Sequence, residues 1–370
     1  MFYSCKMASA LTLTADPRQL RGRGARSNHS GRFEREQRWL LDDGWQRPDD
    51  EPTRQLKTQI LHDASRTIIS RNNSPDISFD QSVNPYRGCE HGCVYCFARP
   101  SHAYLGLSPG MDFESRILVK PDAARLLRKE LSAPGYVPKV IAIGTNTDPY
   151  QPIERNLKIV RQILEVLAEF RHPVALVTKS ALVLRDRDIL EEMAREGLVK
   201  VALSITTLDP SLARSLEPRA ASPPRRLAAL SGLSAAGIPA AVMFAPVIPG
   251  LNDSELENIL RAAAQAGARS AGYVLLRLPL EVKQLFREWL EQHAPHRAGH
   301  VMSLIRAMRQ GRDYDANWHA RMSGTGPYAR MIAQRFHLTA RRLGLNQSPV
   351  TLDLGKFARP PIRGEQLSLL

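Results

Sequence analysis

The chain predicts an α/β fold built on a parallel sheet. From about residue 78 to residue 292, short apolar runs alternate with stretches of helical apolar spacing. Successive β-α units of one hand lay their strands side by side in parallel. Apolar residues make up 43% of the 370 residues, enough for one large core with extensions. Six strands of this kind satisfy an open (β/α)6 barrel, whose site is lined by the loops after the strand C-termini. A doubly wound sheet satisfies the same periodicity.

Taken in order, residues 1–55 read as a disordered basic extension. Arg21-Gly-Arg-Gly-Ala-Arg-Ser-Asn and Asp49-Asp-Glu-Pro have little apolar periodicity. Phe33–Leu41 is the one short helical piece, and Gly22/Gly24 is no dinucleotide fingerprint because no strand precedes it. Ser78–Arg87 leads into a cysteine-rich loop. Lys120–Leu131 is a helix with Pro121 near its first turn. The remaining strands are Lys139–Gly144, Pro173–Thr178, Val199–Ile205, Pro239–Ala245 and Gly272–Leu278. Helices are expected over Ile153–Phe170, Arg185–Glu196, the stretch up to Ala236, Ser254–Gln265 ending at Gly267, and Glu281–Gln292. The barrel unit then spans 56–298. Residues 299–345 add a basic extension of two helices around Arg321-Met-Ser-Gly-Thr-Gly-Pro327, and 346–370 form a flexible tail.

The formal charge of +14 is unevenly placed. Pro295–Leu345 holds nine arginines (297, 306, 309, 312, 321, 330, 335, 341, 342) against Asp313 and Asp315, and residues 1–38 carry eight basic against three acidic side chains. Such ends suit a polyanion, most simply nucleic-acid phosphate; an arginine-rich solvated surface is the plainer reading. No stretch has the apolar length of a membrane span, and residues 1–17 lack a secretory pattern. With clustered thiols, this points to the reducing cytoplasm.

Chemistry concentrates in Asn84-Pro-Tyr-Arg-Gly-Cys-Glu-His-Gly-Cys-Val-Tyr-Cys-Phe-Ala, where Cys89, Cys93 and Cys96 form a C-x3-C-x2-C run. Three of the four cysteines thus lie within eight residues. Thiolates so spaced can ligate three irons of a cubane, leaving the fourth iron open to chelate a ligand through an amine and a carboxylate. A zinc site would need a fourth ligand such as His91, and no second cysteine pair exists. A disulfide framework fails on parity and size. The run, with aromatic Tyr95 before its last cysteine, resembles that of the radical S-adenosylmethionine enzymes. The resemblance implies a partial (β/α)6 TIM-type barrel, a [4Fe–4S] cluster on the three cysteines, and S-adenosylmethionine reduced to a 5′-deoxyadenosyl radical.

On that resemblance the strand ends acquire roles. Tyr95 flanks the adenine, core packing being its bland role. Gly144-Thr-Asn-Thr-Asp148 replaces the common Gly-Gly-Glu: Asn146 and Asp148 offer acceptors to the methionine ammonium and Gly144 permits close approach. An Asx-turn before Pro149 is the mundane alternative. Lys179, at a buried strand end, needs an anion, and the methionine carboxylate is suitable. Ser204, with Thr206 and Thr207, bonds the carboxylate or the ribose. Arg219 either clamps a carboxylate or makes a surface ion pair. Pro246–Asp253 sandwiches the adenine, and Arg277 faces the substrate side.

Asn84-Pro-Tyr-Arg-Gly, Gly144-Thr-Asn-Thr-Asp and Thr178-Lys-Ser together resemble the spore photoproduct lyase branch, over roughly residues 55–345. That implies a lyase-like reaction on DNA, of a DNA-repair kind, with an electron donor of flavodoxin or ferredoxin type. One departure matters. The lyase uses a further cysteine as hydrogen donor, and no cysteine follows Cys96. Tyr104, Tyr150, Tyr273 or another group would close the radical cycle, so photodimer repair does not transfer. Modification of RNA or protein keeps the same chemistry; a nucleic-acid binder with a structural metal is the rival of another class. Gln366-Leu-Ser-Leu-Leu370 resembles the short peptide that bacterial partners insert into the DNA sliding clamp.

Overall fold

The computed structural model describes residues 22–34 and 56–360. Among these, ten strands occur: β1 (Gln59–His62), β2 (Ile69–Arg71), β3 (Gln81–Val83), β4 (Tyr86–Arg87), β5 (Arg116–Val119), β6 (Ile141–Ile143), β7 (Val174–Thr178), β8 (Val199–Ser204), β9 (Ala240–Val247) and β10 (Ser270–Leu275). The main sheet runs β10-β9-β8-β7-β6-β3-β2, and β1-β5-β4 form a small second sheet. The six strands β3 and β6 to β10 pair in parallel with neighbours in chain order, while β2 is antiparallel to β3. A doubly wound sheet reverses direction partway, placing its first strand inside. Strands that never reverse order curl one way, which is the barrel alternative. No pairing joins β10 to β2 among the described residues, so the wall stays open.

The strand pattern shows which face is which. Val174, Leu176 and Thr178 of β7 are buried, alternating with half-buried Ala175 and Val177. In β8, Val199, Val201 and Leu203 alternate with Lys200 and Ala202 in the same way. The fully buried set packs under the helices; the other set, small side chains for the most part, faces the barrel interior. A side chain at Gly272 would meet Met243 Sδ at 2.7 Å, so Gly272 keeps its neighbour's place on that inner face.

Helices follow the strands as predicted, with one break. Ile153–Phe170 divides into Glu154–Leu157 and Ile159–Glu169 at Lys158, which has φ of 52°. The cause is Glu154, whose buried carboxylate turns back to accept the Ile159 and Val160 N–H groups at 3.1 Å each. That carboxylate fills the N-terminal role a capping residue would take.

Both extensions differ from expectation. Residues 22–34 are not loose: Gly24, Ala25 and Ser27 are buried, and Gly24 N and Ala25 N donate to Glu114 at 2.8 and 2.7 Å. Phe33 and Glu34 are not helical, and the rest of the predicted Phe33–Leu41 helix lies outside the described residues. The start of the expected flexible tail is also built in. The Asn346 amide exchanges two hydrogen bonds with the backbone of Ala271, satisfying the edge of β10. Phe357 then packs on Tyr136, Phe170 and His172 at the opposite end of the barrel from the strand C-termini. The predicted pair of helices near 299–345 becomes Pro295–Ala307 and Gly326–Arg342, with a single turn at Ala320–Ser323 between them. Arg321 of that turn binds Asp76 and Ser74 in the β2–β3 loop, spanning the open side of the wall.

Candidate functional site

The cysteine loop leaves β4 and is held from several sides. Cys89 N donates to Phe113 O at 2.9 Å, and Val94 N to Leu216 O at 3.1 Å. The fully buried Arg99 gathers the loop. It donates to the carbonyls of Cys93 (2.9 Å), Gly92 (3.2 Å), Pro109 (3.1 Å) and Gly110 (2.9 Å), and pairs with buried Glu114. Glu90 anchors the other flank, taking Ile153 N–H at 2.7 Å and Thr58 Oγ1 at 2.5 Å.

Cys89, Cys93 and Cys96 are free thiols, the first two buried and the third half-buried. Burial pushes all three up, Cys93 to about 12; Asp148 adds to the effect on Cys89 and Glu217 to that on Cys93. Bare thiolates are therefore disfavoured, and a metal's positive charge is what would hold them ionised. The donors around them suit thiolate sulfur. Asp148 N–H is directed to Cys89, the N–H groups of Ala98 and Arg99 to Cys96, and the Lys179 charge acts on Cys93 and Cys96. Among the described residues no three His, Cys, Asp or Glu side chains converge as ligands of a single ion. A cubane asks for the wider arrangement, each sulfur taking its own iron. His91 does not complete a single-ion site: its Nδ1 stands 3.4 Å from Asp148 Oδ2.

The strand ends bring several predicted residues together. Lys179 Nζ donates to Ser204 Oγ at 3.1 Å and lies 5.8 Å from the Tyr95 ring centroid. Asp148 accepts from Thr178 Oγ1 (2.6 Å), Lys179 N (2.7 Å) and Tyr150 N (2.9 Å). Burial opposes its charge, but His91 and these bonds outweigh burial and hold the carboxyl down to about 2. Its oxygens are thus occupied within the fold, including the turn that the Asx alternative anticipated. Asn146 is exposed at the rim, its N–H on Asn84 Oδ1 at 3.2 Å. Gly144, with φ of 92°, serves strand packing: a Cβ there would sit 2.0 Å from Val177 O.

Arg219 does not clamp at the strand ends. It pairs with Glu90 at 3.0 Å, on the outer flank of the cysteine loop. The arginine inside the site is Arg226, which sequence reasoning missed. It is buried, donates to Ser204 O at 2.9 Å and pairs with Glu217. Glu217 also accepts from Thr206 Oγ1 at 2.6 Å and from the Tyr95 hydroxyl, so it fixes the Tyr95 ring. Burial opposes this carboxylate, yet Arg226 and Lys179 hold it down to about 2. Asn252 fixes the loop after β9, donating to Thr206 O at 2.7 Å and Pro246 O at 3.0 Å.

The three tyrosines are not brought to this cluster. Tyr273 points outward onto Phe336, 4.7 Å between rings. Tyr150 lies under the Arg185 guanidinium among the helices, and Tyr104 is exposed beside Phe33. The basic extension is also partly spent within the fold. Arg306, Arg321 and Arg335 pair with Asp313, Asp76 and Glu257, and buried Arg309 is held by carbonyls. Arg297, Arg312, Arg330, Arg341 and Arg342 are exposed. No helix among the described residues is long and apolar enough to cross a membrane. Gln366–Leu370 lies outside the described residues.

The chain resembles known proteins in sequence and in fold. An uncharacterised protein of Mycobacterium tuberculosis is 39% identical over 236 residues, covering 63% of this chain and 69% of the relative. An uncharacterised protein of Methanocaldococcus jannaschii is 28% identical over 239 residues, 65% of this chain and 85% of its own length. The structure of spore photoproduct lyase complexed with dinucleoside spore photoproduct superposes with a TM-score of 0.57 at 16% identity, over 77% of this chain and 80% of that one. It shares the fold. Residues 83–263, which hold the cysteine loop and the ends of β3 and β6 to β9, match the Radical SAM superfamily. The chain belongs to that superfamily: it is a radical SAM enzyme, with the [4Fe–4S] cluster and S-adenosylmethionine as its cofactors.

Proposed function

We propose that the chain is a cytoplasmic enzyme that modifies or repairs DNA by a lyase-like radical reaction. Cys89, Cys93 and Cys96 hold the cluster. Lys179 and Ser204 receive the cofactor's methionine carboxylate, and Asn146, exposed at the rim, offers an acceptor to the ammonium. When bound, the cluster and S-adenosylmethionine supply a 5′-deoxyadenosyl radical, which takes hydrogen from unactivated carbon. The chain's own groups position and exclude water. Glu217 and Thr206 keep the Tyr95 ring in place as one wall, and Arg226 ties that wall to β8.

The observation that carries the reading is Lys179. Its ammonium bonds a hydroxyl and lies over an aromatic face without an ion pair among the described residues, the nearby Glu217 being already paired with Arg226, and it sits within electrostatic reach of two cluster cysteines. A half-buried cation of this kind calls for an anion. DNA as substrate is supported by the net charge of +14 and by the exposed arginines of the C-terminal extension. The structure of similar fold, spore photoproduct lyase, is complexed with dinucleoside spore photoproduct. With no cysteine after Cys96, hydrogen return at the end of the reaction differs from the lyase's. A flavodoxin- or ferredoxin-type protein supplies electrons, and Gln366–Leu370 tethers the enzyme to the sliding clamp.

Anaerobic reconstitution tests the centre: about four irons per chain, and 5′-deoxyadenosine formed with dithionite and S-adenosylmethionine. Iron-free protein holding zinc would sink the enzyme reading. Equal, salt-insensitive binding to DNA and RNA would sink the DNA reading alone.

A further inference from the structure

We propose that Arg277, stacked on Phe97 at the end of β10, is the seat for one phosphodiester group of the nucleic-acid substrate and sets which nucleotide reaches the reacting centre. This rests on the nucleic-acid reading above and adds a site to it.

Four other arginines near the strand ends are matched to acids. Arg99 pairs with Glu114, Arg219 with Glu90, Arg226 with Glu217, and Arg321 with Asp76. Arg277 has no carboxylate partner among the described residues. Its hydrogen bond is to the Met322 thioether at 3.7 Å, and its buried Nε has no partner. A second guanidinium, Arg309, acts on it electrostatically, and Arg309 spends its donors on the carbonyls of Leu276, Ala320 and Arg321. Asp315 acts on Arg309 without an ion pair to either arginine. Positive charge is thus in excess at this strand end, in a place where an unpaired charge is costly.

The guanidinium lies 4.5 Å from the Phe97 ring centroid. The ring supports the guanidinium, and with Nη1 on Met322 the Nε and Nη2 donors make no hydrogen bond among the described residues, an edge that suits a bidentate phosphate. Phe97 follows Cys96 directly and is 39% exposed, so the stack adjoins the cluster loop and is open to a ligand. The exposed arginines 297, 312, 330, 341 and 342 belong to the extension that leads away from β10. They add to the positive charge of that extension, while Arg277 stands at the strand end beside the cluster loop.

The test is anisotropy of a fluorescein-labelled single-stranded DNA oligonucleotide with the reconstituted full chain, over a salt series. R277Q should weaken binding about tenfold and lower the salt slope by about one, while R277K keeps the slope and loses part of the affinity. F97L should weaken binding less than R277Q. Iron content and thermal midpoint, compared with the parent, show whether each variant is folded. Parent binding that R277Q leaves unchanged in affinity and slope overturns the seat alone. A parent that does not bind the oligonucleotide overturns the nucleic-acid reading and the seat with it.

Discussion

Arg99 offers the sharpest test of how the cysteine loop is held. Arg99→Met removes donors from four carbonyls, two of them on the loop itself at Gly92 and Cys93, and leaves Glu114 charged and fully buried. Breaking a buried pair from one side costs about 3–5 kcal/mol. The stranded carbonyls place this case near the top of that range, since each unsatisfied group adds roughly 1 kcal/mol or more. Glu114 keeps the N–H groups of Gly24 and Ala25, which limits the loss. A drop of about 5 kcal/mol lowers the thermal midpoint by about 6 °C in a chain of this size. The measurement is differential scanning calorimetry on anaerobic protein, with iron per chain assayed in parallel; both should fall. Adding Glu114→Gln removes the stranded charge and should recover about 2 kcal/mol, though not the iron, because the loop carbonyls stay unbound. A single variant within about 1 kcal/mol of the parent, with full iron, would refute the claim that Arg99 holds the loop.

Lys179→Ala should weaken S-adenosylmethionine binding about 10- to 100-fold, measured by equilibrium dialysis with the reconstituted protein; unchanged affinity would remove Lys179 from the cofactor's carboxylate. Gly144→Ala should cost more than about 2 kcal/mol, because its Cβ would meet Val177 O at 2.0 Å, and urea unfolding reads this directly. His172 is held down to about 4 by burial, well below an ordinary histidine. The unfolded chain therefore binds the extra proton between about pH 6.5 and 4, so stability should be full above that window and fall as pH drops through it, by up to about 3 kcal/mol. His172→Gln should flatten that fall in urea titrations; an identical pH profile would show that this ring does not govern it. Tyr273→Phe should leave 5′-deoxyadenosine formation and product yield intact, since the ring faces the helices; loss of product with unimpaired cofactor cleavage would restore it as hydrogen donor.

Features that depend on short separations were legible in the residues alone. The β-α alternation, the three cysteine positions and the polar residues at the strand ends are each written within a dozen residues, where periodicity and spacing speak directly. Even the outward aim of Tyr273 follows from strand alternation once Gly272 faces inward. Tertiary structure decided which charges meet. Glu217-Pro-Arg219 gives no sign that Glu217 takes Arg226 while Arg219 crosses to Glu90, because both choices depend on how the chain folds back. Residues 22–34 read as disordered since they carry few apolar side chains; what orders them is a carboxylate about 90 residues away, accepting their backbone N–H groups. Residues 346–360 are fixed in the same manner, by the edge of β10 and an aromatic cluster formed far upstream. A hydrogen bond to a distant buried partner leaves no local periodic trace, so only the folded chain reveals it.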